Sequence, residues 1–298
     1  MSPDVIVIIT GILAAASCGL IGCFLVLRQN AMLGDAISHA VLPGLVLAFL
    51  VTASRNVVPM FVGAALSGLI TAYLTETLGR TRRVYSDAAL GVVFTFLFAV
   101  GVILVTVFAD YVDLDQECVL YGEIAYTPWN TLVLGGYKLG PRPIWVLSTI
   151  FIANLVFVTL FYRQLKICSF DPHMARAIGI HERLWHYLLM TMVSFTVVAA
   201  FESVGAILVV AMLIVPGATA YMITSNLKVM LILSVVIGAA SAVAGFYGAA
   251  YLDASIAGFM AVAGGAFFAL AVVIQSLRRY FRRIDEPDDR RGLPVSEI

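Results

Sequence analysis

The sequence predicts an all-α fold, a polytopic membrane helical bundle of eight or nine transmembrane helices with one short helix in a cytoplasmic loop. Hydrophobic residues make up 61% of the chain against 12% charged, and the mean hydropathy is +1.00, well above the range of a soluble domain. Apolar runs of about twenty residues, each able to cross a hydrocarbon core of about 30 Å as a helix, recur from end to end. The intervals between them leave no room for a separate soluble domain. A transmembrane domain is therefore expected over 1–281 and a flexible cytoplasmic tail, containing IDEPDDRRGLP, over 282–298.

The first span, about 5–27, begins almost at Met1 with no basic leader and no small-residue cleavage site, so it reads as a retained helix. Its Gly11, Ala15, Gly19 and Cys23 recur every fourth residue, the spacing that lets membrane helices approach closely. Spans at 34–53, 57–79 and 88–109 follow. The stretch 110–143 is polar: Asp110, Asp113, Asp115, Glu117 and Glu123 face only Lys138 and Arg142. On the outer side it would give a negative vestibule that concentrates cations; the plainer alternative is a solvated loop.

A fifth span at 144–162 leads to SFDPHMARAIGI, residues 169–180. Asp171-Pro172 is a helix-start signal, with the carboxylate as cap and proline in the first turn. The short helix should end near Gly179 and be apolar at Met174, Ala175, Ala177 and Ile178. Spans at 184–203 and 204–224 are separated only by Glu202-Ser203. If that pair turns within the membrane, the count is eight helices plus a re-entrant segment. Spans at 229–251 and 256–277 complete the bundle, the last with Ala257, Ala261, Gly265 and Ala269 at four-residue spacing.

Basic residues hold short loops on the cytoplasmic side. Fifteen fall on one proposed side and three, Arg55, Lys138 and Arg142, on the other. The N-terminus is then external and the C-terminus cytoplasmic. Cys18, Cys23, Cys118 and Cys168 form no CxxC or zinc spacing, and His173, His181 and His186 read as interfacial residues. There is no internal repeat and no GxxxxGK[ST] phosphate loop.

The chemical signal is GDAISHAVLPG, residues 34–44. Asp35, Ser38, His39 and Leu42 are spaced i, i+3, i+4 and i+7, which puts carboxylate and imidazole on one helical face. Pro43 removes the donor for the His39 carbonyl and should kink the helix. Such irregularity is tolerated in a membrane where protein or a water-filled cavity satisfies it. Ionisable residues in spans are functional candidates, and oxygen with nitrogen suits a divalent transition metal. The alternative is structural: Asp35 caps the helix and His39 is only its partner near the interface. Two ligands are too few for a metal, so water or a second copy of the helix across a two-fold axis must complete the set. Pro216-Gly217 in LIVPGATA marks a second break, lining a path or adjusting packing. Glu202 belongs to an external gate or pairs with a neighbouring helix.

GDAISHAVLPGLVLAF resembles the signature of the metal-ion permease family of ABC importers, the membrane subunits for manganese, zinc and iron. ESVGAILVVAMLIVPGATAYMIT, residues 202–224, looks like that family's second well-defined segment, and SFDPHMARAIGI is similar to its cytoplasmic coupling region. The likeness runs over essentially the whole chain. It implies a multi-pass bacterial inner-membrane permease working as a dimer, of two copies or of two related permeases, with Asp35 and His39 as the metal site. Ser38, Glu202 and Pro216 are further pathway candidates. Phe170, Asp171, Pro172, Met174, Ala175, Ala177, Ile178 and Gly179 would form the coupling helix for a cytoplasmic ATP-binding subunit. An extracytoplasmic metal-binding lipoprotein would deliver the ion, and membrane lipid, not nucleic acid, would surround the chain. No cofactor is expected to reside permanently, and ATP would be hydrolysed in the separate subunit. DLDQECVLYGEIAYTPW, residues 113–129, is similar to manganese- and iron-type members, which makes Mn²⁺ the expected cargo, with Zn²⁺ or Fe²⁺ as alternatives. A proton-coupled transporter would use Asp35 and His39 as a proton relay. An intramembrane metalloenzyme would need further ligands such as HExxH, which is absent.

Overall fold

The computed structural model describes residues 2–52, 57–79, 85–108, 124–134 and 137–285. Helix α1 (Pro3–Leu27) carries Pro3 in its first turn, where a missing N–H costs no hydrogen bond. Gln29, with φ 59°, then reverses the chain into α2 (Leu33–Thr52). Next come α3 (Val57–Gly79) and α4 (Ser86–Phe108), and later α5 (Arg142–Leu160). Two short helices, α6 (Tyr162–Phe170) and α7 (Pro172–Ala177), precede α8 (Glu182–Val204), α9 (Ala206–Ile223), α10 (Leu227–Leu252) and α11 (Ile256–Asp285). Among the described residues nine helices are long and apolar enough to cross a membrane.

The choice between eight and nine spans is decided at Gly205. Its φ of 84° with ψ 162° is a conformation that only glycine adopts without strain. It ends α8 one residue before α9 begins, so Glu202 and Ser203 stay in the last turn of α8. A small element was not anticipated: β1 (Thr131–Leu134) pairs antiparallel with β2 (Tyr137–Pro141) just before α5. Thr131, Val133 and Tyr137 are residues that favour a pleated strand, a local preference hidden inside what reads as a polar loop. The five acids of the expected vestibule lie outside the described residues. Helix α11 runs to Asp285, past the expected start of the tail, and 286–298 lie outside the described residues.

Helix α1 is the hub, packed by α5, α8, α9 and α10. Lipid tails are as apolar as leucine, so close van der Waals contact and hydrogen bonds, not hydrophobic exclusion, hold such helices together. The four-residue stripe on α1 does this: the Ser234 hydroxyl of α10 donates to the Gly19 carbonyl at 3.2 Å, and a Cβ on Gly238 would lie 3.1 Å from the Ala15 methyl. The second stripe behaves differently. Among the described residues nothing lies within 4 Å of where a Cβ on Gly265 would be, and Ala269 is exposed. Helix α11 instead meets α10 one face round, where the Met260 backbone leaves no room for a side chain on Gly245.

Buried Asn154 of α5 cross-links the core by donating to the Thr196 hydroxyl of α8 at 2.8 Å and to the Ser17 carbonyl of α1 at 3.3 Å. Asn154→Leu should lower thermal stability in detergent by about 1–2 kcal/mol, since hydrogen bonds between membrane helices are worth about 0.6–1.7 kcal/mol each. An unchanged melting temperature would show the link to be dispensable.

Polar contacts also mark the two ends of the bundle. Arg142 at the start of α5 pairs with Glu202 at the end of α8 at 2.6 Å. At the opposite end Arg28, after α1, donates to the Ser169 hydroxyl of α6 at 3.1 Å and lies 3.4 Å from His186 of α8. This alternation agrees with the bias in basic residues. A cysteine replacing exposed Trp129 should be labelled by an impermeant reagent from outside, and one replacing Phe170 should not; the reverse pattern would invert the topology. Thr127 is a poorer reporter, being buried with its hydroxyl donated to the Ile124 carbonyl.

Candidate metal-binding site

Helix α2 continues through Pro43, and its neighbours take up the irregularity. The proline leaves the His39 carbonyl without its usual donor, and the adjacent Ala40 carbonyl accepts a hydrogen bond from Ser67 of α3 at 2.5 Å. One turn on, Gly44 and Gly63 face each other so closely that a Cβ on either would overlap the other's carbonyl oxygen. From the other side Gly101 of α4 lies on Pro43, where a Cβ would come within 2.8 Å of the proline Cδ. The proline-containing part of α2 is thus clamped between two glycine-bearing helices.

This packing fixes the depth of the site. Ala40 is bonded to Ser67, Ile37 and Ser194 both crowd Gly68, and Gly34 meets the Leu213 side chain. Ser67, Gly68, Ser194 and Leu213 all lie near the middle of their own spanning helices. His39 is therefore near mid-span, with Asp35 about 6 Å along the axis toward the cytoplasmic end at 1.5 Å per residue.

On the remaining face of α2 the Nε2 atom of His39 is 3.6 Å from Oδ1 of Asp35, and the two side chains are 35% and 36% exposed. That separation is too long for a hydrogen bond. It accommodates a divalent ion held by both atoms at about 2.1 Å. Phe94 and Phe98 of α4 flank the imidazole, with ring centroids 5.9 and 6.1 Å away. Helix α2 begins at Leu33, so Asp35 is inside the first turn and not at the cap. Among the described residues no three histidine, cysteine or acidic side chains gather, and the pair offers two ligands only.

The other sequence candidates separate from this pair. Ser38 is buried and donates to the Gly34 carbonyl at 3.0 Å. Pro216 is buried, and a Cβ on Gly217 would lie 3.2 Å from the Cys23 nitrogen, so this break fits α9 against α1. Glu202 is the Arg142 partner already described. Cys18, Cys23 and Cys168 are free and buried. The residues that sequence reading overlooked are Ser67, Gly63 and Gly101. Small residues in apolar spans are common, and only the contacts with the Pro43 region of α2 give these three a purpose.

At the cytoplasmic end, Asp171 caps α7 by accepting from the Met174 N–H at 2.8 Å, with Pro172 in the first turn. Gly179, at φ 79°, closes the helix: its N–H reaches the Arg176 carbonyl and that of Ile180 reaches Ala175, a Schellman ending. Phe170, Met174, Ala177 and Ile178 are exposed, whereas Ala175 is fully buried and turns into the protein. Arg176 pairs with Glu182 of α8 at 3.1 Å. Arginine only donates, so the contact of Arg28 with Nδ1 of His186 puts the imidazole proton on Nε2, 3.5 Å from Glu76 at the end of α3. Burial pulls the Arg28 pKa below the usual arginine value, opposed in part by Glu182. Helices α6 and α7 are in this way tied to α1, α8 and α3, and α3 carries the Ser67 and Gly63 clamp.

Comparison with known proteins gives a consistent picture. Residues 5–275 match the ABC 3 transport family. The chain is 53% identical over 296 residues to the manganese transport system membrane protein MntD of Bacillus subtilis, covering 98% of this chain and all of that one. It is 38% identical to the zinc transport system membrane protein TroD of Treponema pallidum, covering 93% and 75%. Among solved structures, PsaBC from Streptococcus pneumoniae in complex with Fab aligns with a TM-score of 0.76 at 32% identity over 94% of each chain.

Proposed function

Since the chain belongs to the ABC 3 transport family, we propose that it is the membrane permease subunit of an ATP-driven importer of divalent metal ions, with Mn²⁺ as cargo. The chain is a multi-pass protein of the bacterial inner membrane. The observation that supports the metal path best is the Asp35 and His39 pair at mid-span on a clamped, proline-containing helix. Mn²⁺ rests on the name of the 53% identical relative, while the zinc-named relative keeps Zn²⁺ as the competing cargo. Nothing among the relatives favours proton coupling.

The pair lacks ligands that a transported ion needs, and both side chains are partly open on the face of α2 away from α3. A second permease copy or a related permease across that face would bring further oxygen and nitrogen ligands to the axis. A binding lipoprotein would supply the ion from outside, and ATP would be hydrolysed by a cytoplasmic subunit docked on α7. Residues 1–281 would be the transporting unit and 282–298 an appendage.

Reconstituting the permease with its ATP-binding subunit and binding protein in vesicles, and following Mn²⁺, Zn²⁺ and Fe²⁺ in parallel, tests this reading. The expected result is ATP-dependent Mn²⁺ uptake that survives collapse of the proton gradient. Uptake that persists without the ATP-binding subunit and collapses with the gradient would overturn it. The docking surface has its own test. Ala177→Asp should cut co-purification of the ATP-binding subunit at least tenfold, because an unpaired charge in a packed contact costs about 3–5 kcal/mol. Full co-purification would make α7 a simple connector.

A further inference from the structure

On the flank of the bundle formed by α1, α5 and α10, an apolar groove of about 570 Å³ opens toward the surrounding membrane. Leu20 and Leu231 form its buried floor, and Phe151 and Val235 lie at its deep end. Tyr162 and Lys228 stand at its cytoplasmic mouth. Phe151 is central in α5, while Lys228 is in the first turn of α10, so the groove covers only the cytoplasmic half of the bundle. Its length, about eight residues of α10 at 1.5 Å per residue, is close to one leaflet of a hydrocarbon core of about 30 Å.

The mouth is cationic. The Lys228 ammonium lies 5.7 Å from the centre of the Tyr162 ring. Among the described residues it has no carboxylate partner. The start of α10 adds the positive end of a helix dipole. Arg163 and Lys166 are exposed on α6 beside Tyr162, and α6 contains no acid. An apolar trough one leaflet deep, with a cation at headgroup level, has the polarity of a single anionic phospholipid. A transmembrane helix of a partner would need a groove that crosses the whole bundle.

We propose that this groove is a binding site for one anionic phospholipid of the cytoplasmic leaflet, its phosphate held at Lys228 and the Tyr162 hydroxyl and one acyl chain lying over Leu20 and Leu231. The lipid would cement α1 to α5 and α10 on the side of the hub away from the metal pair. Lysine is suited to the phosphate as a point charge on a flexible stem that reaches headgroup level.

Native mass spectrometry of the intact permease complex, released from vesicles containing equal phosphatidylglycerol and phosphatidylcholine, reads this directly. The wild type should keep phosphatidylglycerol at least fivefold over phosphatidylcholine. Lys228→Gln should remove that preference, and Lys228→Arg should keep it. Val235→Trp, which fills the deep end and leaves the charge in place, should reduce retention of both lipids. Equal retention of the two lipids by the wild type, or unchanged phosphatidylglycerol in both Lys228→Gln and Val235→Trp, would overturn the assignment. So would efficient disulfide cross-linking of Ile232→Cys to another permease subunit, which would place a protein in the groove. None of these readouts depends on transport, so they stand apart from the test of the proposed function.

Discussion

Asp35→Asn and His39→Ala should each cut Mn²⁺ uptake per assembled transporter roughly 100-fold or more. Loss of a group that merely orients a metal ligand already costs about 10–100-fold, and under the proposed assignment each variant removes a ligand itself. Assembly should be unaffected, since both side chains are about one-third exposed and neither belongs to the fully buried core. A helix-capping role for Asp35 predicts the opposite pattern. It would cost about 0.5–2 kcal/mol of stability, lowering yield while leaving transport per folded molecule intact. His39→Cys gives a graded test, because a softer thiolate should move preference from Mn²⁺ toward Zn²⁺.

A single methyl group at the clamp should do nearly as much damage from a distance. Gly63→Ala would place a Cβ against the Gly44 carbonyl and the Ala48 methyl, and Gly44→Ala would place one against the Gly63 carbonyl. Backbone is the obstacle in both, so α2 and α3 must move apart. Overpacking of this kind costs about 1–3 kcal/mol, and it shifts Pro43, His39 and the Ser67 hydrogen bond together. Uptake per molecule should fall at least tenfold with protein still present in the membrane. Gly91→Ala is the matched control: among the described residues nothing lies within 4 Å of its Cβ position, and alanine favours a helix by about 1 kcal/mol. It should transport normally. Normal uptake by Gly63→Ala and Gly44→Ala would show that α2 reaches its working position without the clamp.

Sequence periodicity and charge place every spanning helix to within a few residues except at the end of α11, which runs on to Asp285, because twenty apolar residues ended by charge admit one solution in a bilayer. The α8–α9 junction escapes that logic. Apolar sequence continues on both sides, and the break rests on the backbone freedom of Gly205 alone. The candidate pair is legible because Asp35 and His39 are four residues apart on one helix. Its depth is not, since position within a span is set by partners far along the chain, Ser67 and Leu213 among them. A window of hydropathy puts His39 near a helix start and hence near an interface. Packing carries that start into the bundle.

Helix α7 shows the same division. Asp171, Pro172 and Gly179 announce its two ends, and the observed cap and Schellman closure follow from local rules. Which of its apolar residues look outward is a tertiary matter: Ala175 is buried and Met174 exposed although they adjoin. The stripes of small residues diverge for a related reason. Four-residue spacing identifies a surface able to pack closely but not the helix that meets it, and among the described residues nothing comes within 4 Å of the Cβ position of Gly265.

The claim that Asp35 and His39 hold the transported ion is tested most directly by pulsed electron paramagnetic resonance of Mn²⁺ bound to the purified permease complex. An imidazole nitrogen on the ion modulates the echo, and His173, His181 and His186 sit in or beside the cytoplasmic loop, apart from the pair. The account predicts nitrogen modulation in the wild type, its loss in His39→Ala, and weakened Mn²⁺ binding in Asp35→Asn. The same nitrogen modulation at the same Mn²⁺ occupancy in His39→Ala would contradict it.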